Sequence, residues 1–235
     1  MSGTVGQVIE LWRYPVKSLG GERLTEARCE KRGLTGDRWW AVRGEDGKLG
    51  SGKTFSSFRR MPGLLSMTSL VDSDGTVWVR FPDGTAGAVD DPTTWSAIGG
   101  VVGEPVTLVE EREISHFDDA PVHLVSSAAL RWLERRQPGE QVDRRRFRPN
   151  IVVECAGAAL AEEGWLGGRL QVGEVVVEVE HRTERCVMTT LPQADLGFAP
   201  RILRDLEEAN NACFGVYATV VTAGTIRVGD AVAVL

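Results

Sequence analysis

Cys186 stands in HRTERCVMTT (181–190), just after Arg182 and Arg185. Cationic neighbours favour a thiolate over a thiol, and a thiolate is either a nucleophile or a soft metal ligand. The plain alternative is a small buried hydrophobe, the commonest role of a free cysteine. RYPVKS (13–18) sets the Lys17 ammonium and the Ser18 hydroxyl side by side after a stiffening proline, a workable phosphate clasp. TGDRWW (35–40) adds Arg38, whose planar guanidinium pairs bidentately with phosphate, next to two tryptophans able to shield that pair from water. A surface ion pair with Asp37 is its simpler reading. In DRRRFRPNIVV (143–153), Arg148 and Asn150 flank Pro149 where an apolar strand begins, so a fixed backbone aims their side chains, whereas Arg144 to Arg146 read as a solvated face. Arg59 in FSSFRRMPGLL (55–65) is a further basic candidate. His123 and His181 are the candidates for acid–base work, and both also suit structural roles.

Residues this far apart need a scaffold that gathers them. Short apolar-alternating runs recur along the chain, from GQVIELWRYPV to TIRVGDAVAVL, separated by turn residues; this predicts a mainly β fold with a few helices and a barrel-like architecture. Asp-Gly turns in SDGT (73–76) and PDGT (82–85) bracket a hairpin strand. Strict alternation from Val175 places Val177, Val179, His181, Thr183 and Arg185 on one face, and Cys186 on the other with Glu178, Glu180, Arg182 and Glu184. Two helices are predicted, at 126–139, capped by Ser126 or Ser127 and stopped by Pro138-Gly139, and at 199–211, with Pro200 in the first turn. Both read as covers over a sheet. LQVGEVVVEV (170–179) and IRVGDAVAV (226–234) share a strand, Val-Gly-acid turn, strand grammar. The glycine-rich TTWSAIGGVVGEP suggests a boundary, dividing the chain into 1–105 and 106–235.

The chain has 235 residues, 42% hydrophobic and 26% charged, enough for one large or two small cores. Its formal net charge of -6 argues against a nucleic-acid or membrane partner, while a local basic cluster still suits one anionic ligand. Four dispersed cysteines with no CxxC pair lack the spacing of zinc or iron–sulfur sites, and with no signal-peptide pattern the expected location is cytoplasmic.

Taken in order, YPVKS, GLTGDRWW, FRRMP, FRPNIVV, EEGWLGG, LQVGEVVVEV, TERCVMTT, FGVYATVV and GTIRVGD resemble the MOSC family in its two-domain form, over nearly the whole chain. The resemblance implies a β-barrel MOSC domain plus a smaller β-rich N-terminal domain. Its amidoxime-reducing branch implies a molybdenum cofactor of the molybdopterin type, with Cys186 as metal ligand and catalytic residue. It further implies cofactor contacts from Lys17, Ser18, Arg38, Arg59, Arg148, Asn150, Arg185 and Tyr217, and an oxidoreductase acting on small N-oxygenated substrates. Glu184 departs from the pattern of the animal enzymes. No plant-type iron–sulfur cysteine cluster is present, so a separate electron donor, a ferredoxin or a flavin/iron–sulfur reductase, is expected. Two alternatives stay open: a persulfide carrier or transferase using Cys186, and a non-catalytic carrier of molybdenum cofactor.

Overall fold

The computed structural model describes residues 3–138, 142–157 and 159–235. The alternating segments form strands, and seven of them close into a barrel. Gly3–Arg13 pairs with Ala231–Val234 on one side and Ile151–Glu154 on the other. The ring is completed through Val122–Ser126, Cys213–Thr222, Val175–Glu184 and Arg169–Val172. Closure leaves these strands without free edges. Val8, Leu124, Ile151, Val153, Val177 and Val216 fill the interior. The run Ile151-Val152-Val153 has no polar alternation because both its faces are covered: Val152 turns outward into a second core with Phe147 and Phe214.

The two expected helices cover that outer face. Ser127–Arg136 starts where the Ser126 hydroxyl accepts the Ala129 N–H, a cap that contributes about 1 kcal/mol. Arg201–Asn210 follows Pro200 and closes on Asn211 in the left-handed region, φ 51°. Leu130, Leu133, Ile202 and Leu206 pack with Val125, Val152 and Phe214. Gly139, read as the stop of the first helix, lies outside the described residues.

The smaller part surrounds a separate core of Val16, Leu19, Val42, Met61, Met67 and Ile98. It holds a sheet of Val106–Glu110, Trp40–Gly44, Leu49–Ser51 and Phe58–Arg60, and a three-stranded meander of Thr68–Val71, Val77–Arg80 and Ala86–Ala88. The two Asp-Gly turns join the meander as expected, with Gly75 at φ 91° and Gly84 at φ 88°. Among the described residues no helix is long and apolar enough to cross a membrane.

Three features go beyond the sequence reading. Most of TTWSAIGGVVGEP lies in a helix, Pro92–Val102. Asp91 caps it through Thr93 N, Pro92 occupies the first turn and Gly103 at φ 84° ends it, and these signals outweigh two interior glycines that each cost about 1 kcal/mol. The two Val-Gly-acid stretches are not equivalent: Arg169–Val172 folds back on Val175–Glu184, whereas Gly224–Arg227 pairs with Glu26–Glu30. Lastly, the N-terminal strand lies in the barrel with the C-terminal strands, so sequence order and packing order part at once.

Glu162 is fully buried behind the first cover helix, one oxygen accepting from Ser126 and the other without a partner. Burial pushes its carboxyl up to about 7. The folded protein thus keeps a proton that the unfolded chain releases in the ordinary carboxylate range, so the contribution of this one group to stability is greatest at low pH and is lost as pH rises through about 7. Glu162→Gln is expected to flatten melting temperature against pH over that interval and to stabilise the protein above it by roughly 3 kcal/mol; parallel pH slopes in the two proteins would refute the account.

Candidate functional site

Four cations from distant segments converge beside the barrel mouth. Lys17, Arg38, Arg148 and Arg185 act on one another or on shared neighbours, Tyr14, Tyr217 and Asp118, through their charges. The Lys17 ammonium, buried in the cleft, donates to the His116 carbonyl (2.8 Å) and Asp118 (2.8 Å) and rests 4.0 Å from the Phe58 ring centroid. Arg38 pairs with Asp37 in a buried setting, not as a surface pair, since Asp37 is 0% exposed and also accepts the Tyr14 N–H at 2.7 Å. Tyr14 lies between two guanidiniums, 5.1 Å from Arg38 and 4.2 Å from Arg148. Trp39 is exposed and Trp40 packs into the smaller core, so Tyr14 and Phe117, rather than the tryptophans, flank Arg38.

The backbone holds these residues in an uncommon conformation. Ser18, Arg38 and Arg148 have φ of 66°, 53° and 54°, left-handed values that disfavour non-glycine residues by roughly 1 kcal/mol each. Hydrogen bonds fix two of them: Arg38 N–H to the Tyr14 carbonyl (2.8 Å) and Arg148 N–H to the Arg145 carbonyl (3.1 Å). The cations are therefore aimed before any ligand arrives.

Charge within the cluster does not balance. Against four cations stand two carboxylates, Asp37 and Asp118, leaving two positive charges in excess in a chain whose net charge is -6. Arg148 donates to the Leu19 carbonyl (2.5 Å), but its buried Nη2 has no partner, and Arg185 donates to the Phe147 carbonyl (2.9 Å) while its Nε has none. Burial, followed by the Arg38 charge, holds the Arg148 guanidinium down to about 10. A cavity of about 100 Å³ bounded by Tyr14, Gly20, Gly21 and Arg148 adjoins it. Excess charge and orphaned donors together suit a phosphate monoester, which carries about 1.5 to 2 negative charges at neutral pH.

Cys186 lies past the end of the strand Val175–Glu184, where it opens the short turn Val187–Thr189. Its alternation with Arg182 does not persist. A register shift between Arg182 and Glu184 separates them, and Arg182 instead reaches Asn210 (3.4 Å). Arg185 keeps its inward place as an electrostatic neighbour of Cys186. Met188 approaches Ser51 at 4.0 Å, and Ser18 donates to the neighbouring Gly50 carbonyl at 3.1 Å, so the cysteine turn and the Lys17–Ser18 segment grip the same loop. The sulfur is half-buried. Tyr217 feels the charges of Arg185, Asp118 and Arg38, and its ring meets His123 (5.3 Å) and His181 (5.6 Å). Burial and the Arg185 charge hold the His123 imidazole well below its usual range, and His181 pairs with Asp119 at 2.7 Å.

Two candidates are engaged elsewhere. Arg59 is bound by Glu104 (2.7 Å) and Asp46 (3.0 Å) in the smaller sheet. Asn150 accepts the His123 N–H (3.1 Å) and donates to the Trp12 carbonyl (3.3 Å), tying two barrel strands together. Asn150→Ala strands both backbone groups, at about 1–3 kcal/mol apiece, so a lowered melting temperature is expected with unchanged ligand content in the folded fraction; ligand loss at full stability would restore Asn150 to the site. Asp37 was anticipated only as a surface partner of Arg38, and Asp118 and Tyr14 were missed. The Asp-Arg and Tyr-Pro pairs beside Arg38 and Lys17 were visible hints; for Asp118, in an irregular loop, there was none.

Comparison with known proteins supplies context for this geometry. The sequence model of the MOSC domain matches residues 111–233, and that of the MOSC N-terminal beta barrel domain matches residues 5–98. Human mitochondrial amidoxime-reducing component 1 is 26% identical over 98% of this chain and 83% of its own length. Bovine mitochondrial amidoxime reducing component 2 is 29% identical over 97% and 83%. The crystal structure of the YuaD protein from Bacillus subtilis matches at a TM-score of 0.52 with 12% identity, over 100% of this chain and 96% of that one, a likeness of fold.

Proposed function

The chain belongs to the MOSC family, and on that ground we propose that it is a molybdenum-cofactor-dependent reductase of small N-hydroxylated or N-oxide compounds, supplied with electrons by a separate redox protein. The observation that carries the reading is the pair of excess positive charges, with orphaned Arg148 and Arg185 donors, beside a half-buried thiol. The relatives named as amidoxime-reducing components support the choice of reaction.

In this reading Lys17, Arg38, Arg148 and Arg185 hold the cofactor phosphate, Tyr217 lines the same cleft, and the Cys186 thiolate is the protein's metal ligand. The Ser18 hydroxyl donates a hydrogen bond to the Gly50 carbonyl and acts by shaping the clasp. When bound, the cofactor supplies a metal that removes oxygen from an N–O bond. The net change converts R–NHOH, two electrons and two protons to R–NH2 and water. The electrons come from a ferredoxin or a flavin/iron–sulfur protein.

Protein purified from a host that makes molybdenum cofactor is expected to contain close to one molybdenum per chain and to reduce benzamidoxime once a competent donor is present. Absent molybdenum with cyanide-releasable sulfur on Cys186 would show a persulfide carrier instead. Bound molybdenum without turnover would show a cofactor carrier.

A further inference from the structure

A cavity of about 550 Å³ opens in the smaller part of the molecule, between the helix Pro92–Val102 and the strands Trp40–Gly44 and Val106–Glu110. Its volume suits a small organic molecule. The indoles of Trp40 and Trp95 form part of its wall with Leu108, and Trp95 is fixed there because its Nε1–H donates to the Val89 carbonyl at 2.7 Å. His116 lines the same cavity although it is 2% exposed.

The state of that histidine follows from its bonds. Its Nδ1 lies 3.0 Å from the Arg38 carbonyl, and a carbonyl only accepts, so Nδ1 carries the proton. Burial holds the imidazole below its usual range, which keeps the ring neutral. Nε2 is then a bare acceptor, and among the described residues no group hydrogen-bonds it. The rim carries Asp90, Glu110 and Glu113 against Arg43 and Arg112, and among the described residues these five form no ion pair or side-chain hydrogen bond with the protein. A ligand that satisfies this wall needs an N–H donor for Nε2, a flat apolar body for the indoles and a charge that the more numerous carboxylates accept. An anion meets a lone pair on a rim where three carboxylates outnumber two guanidiniums, and a hydrocarbon leaves Nε2 unpaired.

We propose that this cavity binds an aromatic ammonium compound, its ring against Trp40 and Trp95 and its cationic nitrogen shared between His116 Nε2 and the rim carboxylates. The inference uses neither Cys186 nor the cofactor, so it stands or falls apart from the reductase reading. The ligand sits one residue's width from the clasp, since the His116 carbonyl holds Lys17 and its ring holds the Arg38 carbonyl.

Isothermal titration calorimetry on the full chain tests this, with benzylamine as probe and benzyl alcohol and benzoate as controls. Saturable one-to-one binding is expected, with benzylamine about tenfold tighter than benzyl alcohol and benzoate weakest, as the charge-assisted contacts of the ammonium with the rim carboxylates require. Trp95→Ala, which removes the ring's stacking partner, and, in a fold-neutral rim position, Glu113→Gln are each expected to weaken benzylamine about three- to tenfold. No saturable heat with benzylamine, controls binding as tightly as the amine, or unchanged affinity in both variants would each overturn the proposal.

Discussion

Cys186→Ser is expected to abolish reduction of an N-hydroxylated substrate, by more than about 100-fold, with little change in melting temperature. The two halves of that expectation have separate causes. The turn that follows Cys186 is held by backbone and threonine groups: the Cys186 carbonyl accepts the Thr189 N–H (3.1 Å) and hydroxyl (3.0 Å). A serine with the same backbone keeps those bonds, and because the sulfur is half-buried little packing is lost. Chemistry is another matter, for a serine hydroxyl does not ionise near neutral pH and is a hard, weak ligand where a thiolate is soft and anionic. Turnover with a reconstituted electron donor, molybdenum content and thermal melting should be measured on the same preparation. Retained turnover would remove Cys186 from the mechanism, and collapse of the fold would show that the thiol is structural.

How much of this was legible beforehand depends on the kind of information each feature needs. Strands, cover helices and Asp-Gly turns are local, and alternation or caps announce them, as at Ser126 and Pro200. The helix Pro92–Val102 was hidden because its interior glycines argue loop while its start and stop signals, Asp91 and Gly103, argue helix, and capping won. Within the site, Lys17, Arg38, Arg148 and Arg185 stood out by residue type, and their convergence was expected from the family resemblance, whereas its physical basis was not legible, because it rests on the first strand joining the barrel and on left-handed φ at Ser18, Arg38 and Arg148. Nothing in a side chain's identity announces such a φ. The same limit explains the error over Arg182: alternation is exact only until a bulge, and this strand has three register shifts against Cys213–Thr222. Arg59 and Asn150 have the right chemistry for a ligand, but local partners had already engaged them.

Arg148→Met separates the roles of charge and scaffold most sharply, because it is expected to move stability and ligand retention in opposite directions. The wild-type guanidinium is buried beside Arg38 with Nη2 unpartnered, and its depression to about 10 corresponds to roughly 3 kcal/mol of destabilisation of the ligand-free protein. The sign follows from linkage: the folded protein sheds this proton near pH 10, before the unfolded chain does, so the destabilisation is fully present at neutral pH and is relieved only as pH rises above about 10. Methionine fills most of the same volume against Tyr14 without the charge. It forfeits the hydrogen bond to the Leu19 carbonyl and the contact with the Tyr14 ring, about 1 kcal/mol apiece, so the ligand-free variant should be more stable by about 1 kcal/mol at pH 7. Cofactor retention should fall about 10- to 100-fold, the worth of one or two charge-assisted hydrogen bonds to phosphate. Urea unfolding of the cofactor-free proteins and molybdenum content after dialysis of the loaded ones measure the two quantities separately. A variant that loses stability while retaining molybdenum would make Arg148 a structural residue and leave the excess charge of the cleft without a ligand to explain it.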